Sequence, residues 1–303
     1  MKCLIVGCGY VGLPLGSELV RLGHEVFGLR RSTSAENELK AAGIKPLIAD
    51  ITKPGTLAKL PHEFDWVVHC VSSTGGNAED YRKVYFQGTC NLAGWLSAAG
   101  LKKFVYTGST SVYGQTDGSQ VKETSPTEPA AETAKVLLET EKLLLAAVTD
   151  RKIPAVILRV AGIYGPERGH WFKQFLKNEA RIEGDGSRFL NMIHRDDLIG
   201  IIIAALKNGR PGEIYNAMDD EPVSQTNFFQ WLAATVGKYP PPSVPENPEE
   251  NRQRGVTNKR VLNRKLKMEL GYQFKYPNFR KGYSAELLRL ERAGELHVAP
   301  DER

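Results

Sequence analysis

Gly7, Gly9 and Gly12 follow a short apolar run, Cys3-Leu4-Ile5-Val6, in the order G-x-G-x-x-G. Glycine at the first position permits a tight turn, at the second lets backbone approach a pyrophosphate, and at the third lets the following helix pack on the strand. The free N–H groups and positive dipole end of that helix would meet the phosphate charge. About 20 residues further on, a chain that holds an unsubstituted ribose carries Asp or Glu; this one carries Arg30 and Arg31. Two guanidiniums suit a 2′-phosphate, so NADP is the expected cofactor. NAD is the alternative if both arginines are solvated surface groups. The expected cofactor contacts also take in Tyr10 and Val11 of the glycine turn, Asp50 and Ile51 after the third apolar run, and Cys70, Val71 and Ser72 after the fourth.

The elements around these residues alternate. A helix with Leu13, Leu15, Leu19, Val20 and Leu22 on its apolar positions, and Pro14 in its first turn where a missing N–H costs little, ends at Gly23. Strands are predicted at Glu25–Leu29, Lys45–Ile51, Trp66–Val71, Lys103–Gly108 and Ala155–Val160, with a long helix from Tyr81 to Ala99. This rhythm predicts an α/β protein with a Rossmann-type doubly wound parallel sheet, its ligand lying at the carboxyl ends of the strands.

Length and composition suit such a protein. The 303 residues can bury a substantial core and fill two lobes. Cys3, Cys8, Cys70 and Cys90 form neither a C-x-x-C pair nor a disulfide framework, which points to a reducing compartment and to no metal site. Lys2 leads directly into the first strand, and the longest apolar stretch, Leu198 to Leu206, falls far short of a membrane span; a cytoplasmic location is expected. Net charge is +5, with an excess at Arg252, Arg254, Lys259, Arg260, Arg264, Lys265 and Lys267. No aromatics interleave that run, which argues against a nucleic-acid partner. It reads as a solvated helix face, or alternatively as a contact to an anionic substrate. The proline-rich stretch from Tyr239 to Pro248 reads as a surface loop.

Six further strings occur in order: TGSTSVYG (107–114), ETSPTEP (123–129), LRVAGIYGPERG (158–169), NMIHRDDL (191–198), EIYNAMDDEPVS (213–224) and LGYQFKYPNFRKGY (270–283). On these the chain resembles the extended short-chain dehydrogenase/reductase family of nucleotide-sugar epimerases and dehydratases, over nearly its whole length. The resemblance implies that Ser109 hydrogen-bonds the reacting oxygen. It also implies a Tyr-x-x-x-Lys acid/base pair on the next helix, and that pair is missing. Matching Lys135 to the lysine puts Ala131 at the tyrosine. Matching Glu141-Lys142-Leu143-Leu144 to the usual end of the helix puts Thr133 at the tyrosine and Leu137 at the lysine, and this register also keeps Val136 to Leu138 in phase. An alcohol is a far weaker acid than a phenol. The chain therefore reads as an atypical member, and a second departure supports this: Val6 stands where the family's first glycine falls, with Gly7 one place later.

Candidate catalytic residues are Ser109, Thr133, Lys135 and Tyr113; Ser111 and Tyr164 are candidate substrate contacts. Glu132 is a further carboxylate on the same helix, and His194 with Asp197 reads as a structural turn. The nucleotide domain is expected to span 1–163 plus 192–216, and a smaller C-terminal substrate lobe 164–191 plus 217–303. The implied activity is that of an NAD(P)-dependent oxidoreductase, epimerase or dehydratase acting on a sugar, sugar nucleotide or small carbonyl compound. The alternative is a dinucleotide-binding sensor or scaffold without turnover. A small-molecule substrate and no membrane partner are expected, and the resemblance leaves open a homodimer paired through the two long helices, as the family often forms.

Overall fold

Strand β1 (Lys2–Val6) is apolar almost throughout, and neighbours of the same kind lie on both sides of it. With β2 (Glu25–Arg30), β3 (Lys45–Ile48), β4 (Trp66–His69), β5 (Lys103–Ser109), β6 (Ala155–Val160) and β7 (Ile214–Ala217) it forms a seven-stranded sheet in the order β7-β6-β5-β4-β1-β2-β3. Every pairing is parallel. Parallel strands are covered on both faces, which explains runs such as Ala155–Val160 in which all six residues are buried. The computed structural model describes residues 1–73, 75–247, 249 and 255–295.

Alternation along the strands sorts the side chains into two cores. Cys3, Ile5, Val105, Val156 and Leu158 join one, with Leu15 and Leu19 of helix α1 (Gly12–Arg21) and Ile201 and Ile202 of the helix Arg195–Asn208. Leu4, Val6, Phe104, Tyr106 and Ile157 join the other, with Leu144 and Ala147 of helix α2 (Glu132–Asp150) and Leu92. A third core, largely aromatic, gathers Tyr164, Phe172, Phe228, Phe279 and Tyr283. Among the described residues no helix is long and apolar enough to cross a membrane.

Several boundaries differ from the sequence expectation. The helix expected over 81–99 runs over 78–95, with a π-type stretch at Arg82–Gln87, and ends where Leu96 turns extended (φ −65°, ψ 135°). The third and fourth strands stop at Ile48 and His69, so Asp50, Ile51, Cys70 and Val71 lie on the loops beyond them. Within the proline-rich stretch, Ser243–Val244 pairs with Ile182–Glu183, while Tyr239 is exposed; Pro248 lies outside the described residues.

Candidate functional site

The strand order reverses beside β1, and there the loops leave a cavity of about 630 Å³ at the carboxyl ends. The glycine turn forms its floor. Gly7 has φ +96°, and a Cβ there would lie 2.7 Å from the Val71 nitrogen, so only glycine fits. A Cβ on Gly12 would lie 2.5 Å from the Gly7 carbonyl oxygen; this third glycine lets α1 approach the turn and does not itself line the cavity. At Gly9 a Cβ would meet nothing within 4 Å, yet the residue lines the cavity. Its missing side chain leaves the space a dinucleotide backbone needs, and on that ground the cradle fits such a cofactor.

Tyr10, Val11, Arg30, Arg31, Asp50, Ile51, Cys70, Val71 and Ser72 all line the same cavity. Arg30 and Arg31 differ in what they do. Arg30 donates through Nη1 to the Cys8 carbonyl oxygen and lies 3.9 Å from Glu38, so it braces the turn. Arg31 is exposed and, among the described residues, forms no ion pair within 4 Å, although its charge helps to lower the Asp50 pKa. Burial works to raise the Asp50 pKa, but the Thr52 hydroxyl and N–H both bond its carboxylate and the net shift is downward. Tyr10 presents its ring between Arg168 and Arg195, 5.0 and 5.2 Å away, while its hydroxyl donates to the Pro166 carbonyl. Burial pushes its phenol up to about 12.

Ser109 ends β5, and its Oγ accepts the Ser111 N–H at 3.1 Å, leaving its own O–H to donate. Ser109 and Ser111 line the cavity together with Thr133 and Leu137. Thr133 and Leu137 are four residues apart on α2 and share a face. Lys135 lies between them in sequence, so it turns away: half-exposed, it pairs with Glu132 at 2.6 Å. That corrects its reading as a catalytic candidate, and Glu132 is exposed with it. Tyr113 is corrected too. It is fully buried, donating to Asn216 Oδ1 at 2.8 Å and accepting from Arg159 Nη1 at 2.9 Å. Arg159 is held in turn by Glu141, so the tyrosine pins the turn after β5 and does not face the cavity.

A second cavity, about 450 Å³, shares Ser109, Ser111, Val160, Ala161 and Ile163 with the first. Tyr164 lines it only as a buried wall, stacked on Tyr283 at 4.3 Å. His194 caps the helix Arg195–Asn208 through Nδ1, and Asp197 accepts the Lys275 and Tyr276 N–H groups; both are structural, as the sequence suggested.

The basic run is not one solvated face. Lys265 pairs with Glu213 and Lys267 with Asp220, whereas Lys259 is 4% exposed and lines the second cavity; Arg252 and Arg254 lie outside the described residues. Sequence reasoning also missed Tyr81 and Tyr85, which line the first cavity with their rings 4.9 Å apart. Their spacing of four on a helix after a Ser/Gly loop was the available signal.

A family profile described as the NAD dependent epimerase/dehydratase family matches residues 3–217. Protein YeeZ of Escherichia coli K12 is 27% identical over 287 residues, covering 91% of this chain and 97% of its own. A solved structure described as a putative NAD-dependent epimerase/dehydratase from Methylobacillus flagellatus is 33% identical, with a TM-score of 0.75 over 96% of this chain and 98% of that one. UDP-glucuronic acid 4-epimerase from Bacillus cereus, solved in complex with NAD, shares the fold at 23% identity, with a TM-score of 0.79 over 97% of this chain and 99% of its own.

Proposed function

Because the chain belongs to the NAD-dependent epimerase/dehydratase family, we propose that it is an NAD(P)-dependent oxidoreductase that works on a carbonyl or hydroxyl carbon of a sugar, sugar nucleotide or small carbonyl compound. The observation that carries this reading is the junction of the two cavities at Ser109 and Ser111. The larger cavity has the glycine cradle and suits the dinucleotide; the smaller one opens beside it and suits the substrate. A bound nicotinamide would give or take hydride at its ring. Gly7 and Gly9 let the pyrophosphate approach, the α1 terminus faces its charge, and the Ser109 O–H donates to the reacting oxygen.

NADP is the favoured cofactor because Arg31 is an exposed guanidinium, in no ion pair among the described residues, on the wall where a 2′-phosphate would lie. Residues 1–163 plus 192–216 would hold the cofactor, and the aromatic core built on 164–191 and the segment after 217 would carry the substrate side. A second reading, nucleotide binding without turnover, draws on Thr133, which puts an alcohol on the cavity face of α2. Thermal melting with NADPH, NADP⁺, NADH and NAD⁺ tests the proposal, since a ligand at 100 times its dissociation constant adds about 2.7 kcal/mol. Stabilisation by the NADP pair above the NAD pair is the expected result. No shift with any of the four would refute it.

A further inference from the structure

Lys259 is a buried ammonium that forms no ion pair among the described residues. It opens a short strand, Lys259–Val261, that pairs with Ser119–Val121, and this pairing carries its side chain inward. Nζ donates to the Tyr113 carbonyl at 3.0 Å and to Thr257 Oγ1 at 2.5 Å, which leaves one of its three N–H bonds unassigned among the described residues. Among the described residues no Asp or Glu lines the second cavity. A charge kept this far from water without a carboxylate is costly, and such groups concentrate at functional sites.

The neighbourhood narrows what Lys259 can do. Arg188 is committed to Glu183 at 3.6 Å and to the Trp171 ring, and Arg260 turns to the Gly118 carbonyl. Burial holds the phenols of Tyr113, Tyr164 and Tyr283 above the usual tyrosine range, and His170 is exposed. Burial brings Lys259 down to about 8, the range in which an amine both gives and takes protons near neutral pH. The contact to Tyr113 ties Nζ to the far end of the short turn, Thr110–Val112, that begins at Ser109, and Lys259 and Ser109 line the same cavity.

We propose that Lys259 is the proton-transfer residue of this site, acting from the substrate side on the oxygen that Ser109 orients. This rests on the oxidoreductase reading above. In the reducing direction the substrate carbonyl carbon accepts hydride from a reduced nicotinamide cofactor, and the C=O π pair moves to oxygen. The Lys259 N–H bond breaks as the new O–H bond forms, and the neutral amine then regains a proton from water. Oxidation of an alcohol runs the same steps backwards, with Lys259 entering as the neutral amine.

The test uses the full chain, NADPH, and 4-nitrobenzaldehyde and 9,10-phenanthrenequinone as carbonyl probes. Lys259→Met and Lys259→Arg should lower kcat about a hundredfold while NADPH affinity and melting temperature stay near those of the parent. The decline of kcat as pH rises through about 8 should vanish in both. Independently of turnover, competitive acetylation followed by mass spectrometry should show the Lys259 amine becoming reactive about two pH units before an ordinary lysine. Full kcat in the arginine variant, or a rise in KM alone, would make Lys259 an anchor and overturn the proposal. So would an amine that reacts only at ordinary lysine pH, or a parent that binds NADPH and reduces neither probe. A parent that binds no NADPH would overturn the oxidoreductase reading beneath it.

Discussion

Arg159 of β6 and Glu141 of α2 meet as a closed ion pair inside the protein, Nη2 to Oε2 at 2.8 Å and Nε to Oε2 at 3.1 Å, both side chains almost wholly shielded from water. Arg159 extends the pair to the Tyr113 hydroxyl, and Tyr113 to Asn216 of β7. One network thus joins a helix, two strands and the turn that presents Ser109. Removing one charge strands the other. Glu141→Gln is expected to cost about 3–5 kcal/mol in urea unfolding, while Glu141→Leu combined with Arg159→Met should cost less than either single change. Additive losses would show that the two residues act separately.

Two glycines of the cradle, Gly7 and Gly9, should separate in their effects. Gly7→Ala forces a side chain into a left-handed position against the Val71 and Cys70 backbone, and strain alone should lower stability by about 1–3 kcal/mol. Gly9→Ala puts a methyl into open space, so the fold should hold while nucleotide affinity falls. Melting temperature and nucleotide binding measured on the same samples check both. Equal affinity for Gly9→Ala and parent would remove the cradle from the cofactor site.

The cradle and the sheet were legible because their signals are local. Glycine spacing, apolar runs of four to seven residues and the positions i and i+4 of α2 lie within one turn or strand of each other, and Ala155–Val160 stands as the sequence predicts. Lys259 was not legible in this way. Its burial depends on pairing with Ser119, 140 positions earlier, and a basic run seen locally reads as a solvated face. Tyr113 and Lys135 failed for a related reason. Residue type suggested chemistry, but direction decides it: Tyr113 points into the Arg159 network, and Lys135 sits on the far side of α2 from Thr133.

Arg31, not Arg30, should set cofactor preference. Arg30 braces the Cys8 carbonyl, so Arg30→Ala should weaken NADP⁺ and NAD⁺ alike. Arg31→Ala removes the exposed guanidinium, and the loss of a charge-assisted bond worth about 1.5–3 kcal/mol should weaken NADP⁺ by tenfold or more and leave NAD⁺ nearly unchanged. Titration calorimetry with both nucleotides decides it. A parallel loss for Arg31→Ala would place the 2′-phosphate elsewhere.

His69 makes the acid limb of stability predictable. It ends β4 with no exposed surface, its Nε2 lies 2.9 Å from Thr89 Oγ1, and Phe104 and Tyr106 pack edge-on against its ring. Burial pulls its pKa down to about 3, so the folded ring stays neutral where the unfolded chain would already be protonated. The unfolded state then binds more protons between the ordinary value of about 6.5 and pH 3, so stability falls with pH across that window. At pH 4 the loss from this one group should reach about 3 kcal/mol. His69→Gln keeps a partner for Thr89 and cannot be protonated, so its stability should fall more gently than the parent's between pH 7 and pH 4. Two curves of the same slope in urea unfolding would mean that His69 becomes charged without unfolding the protein.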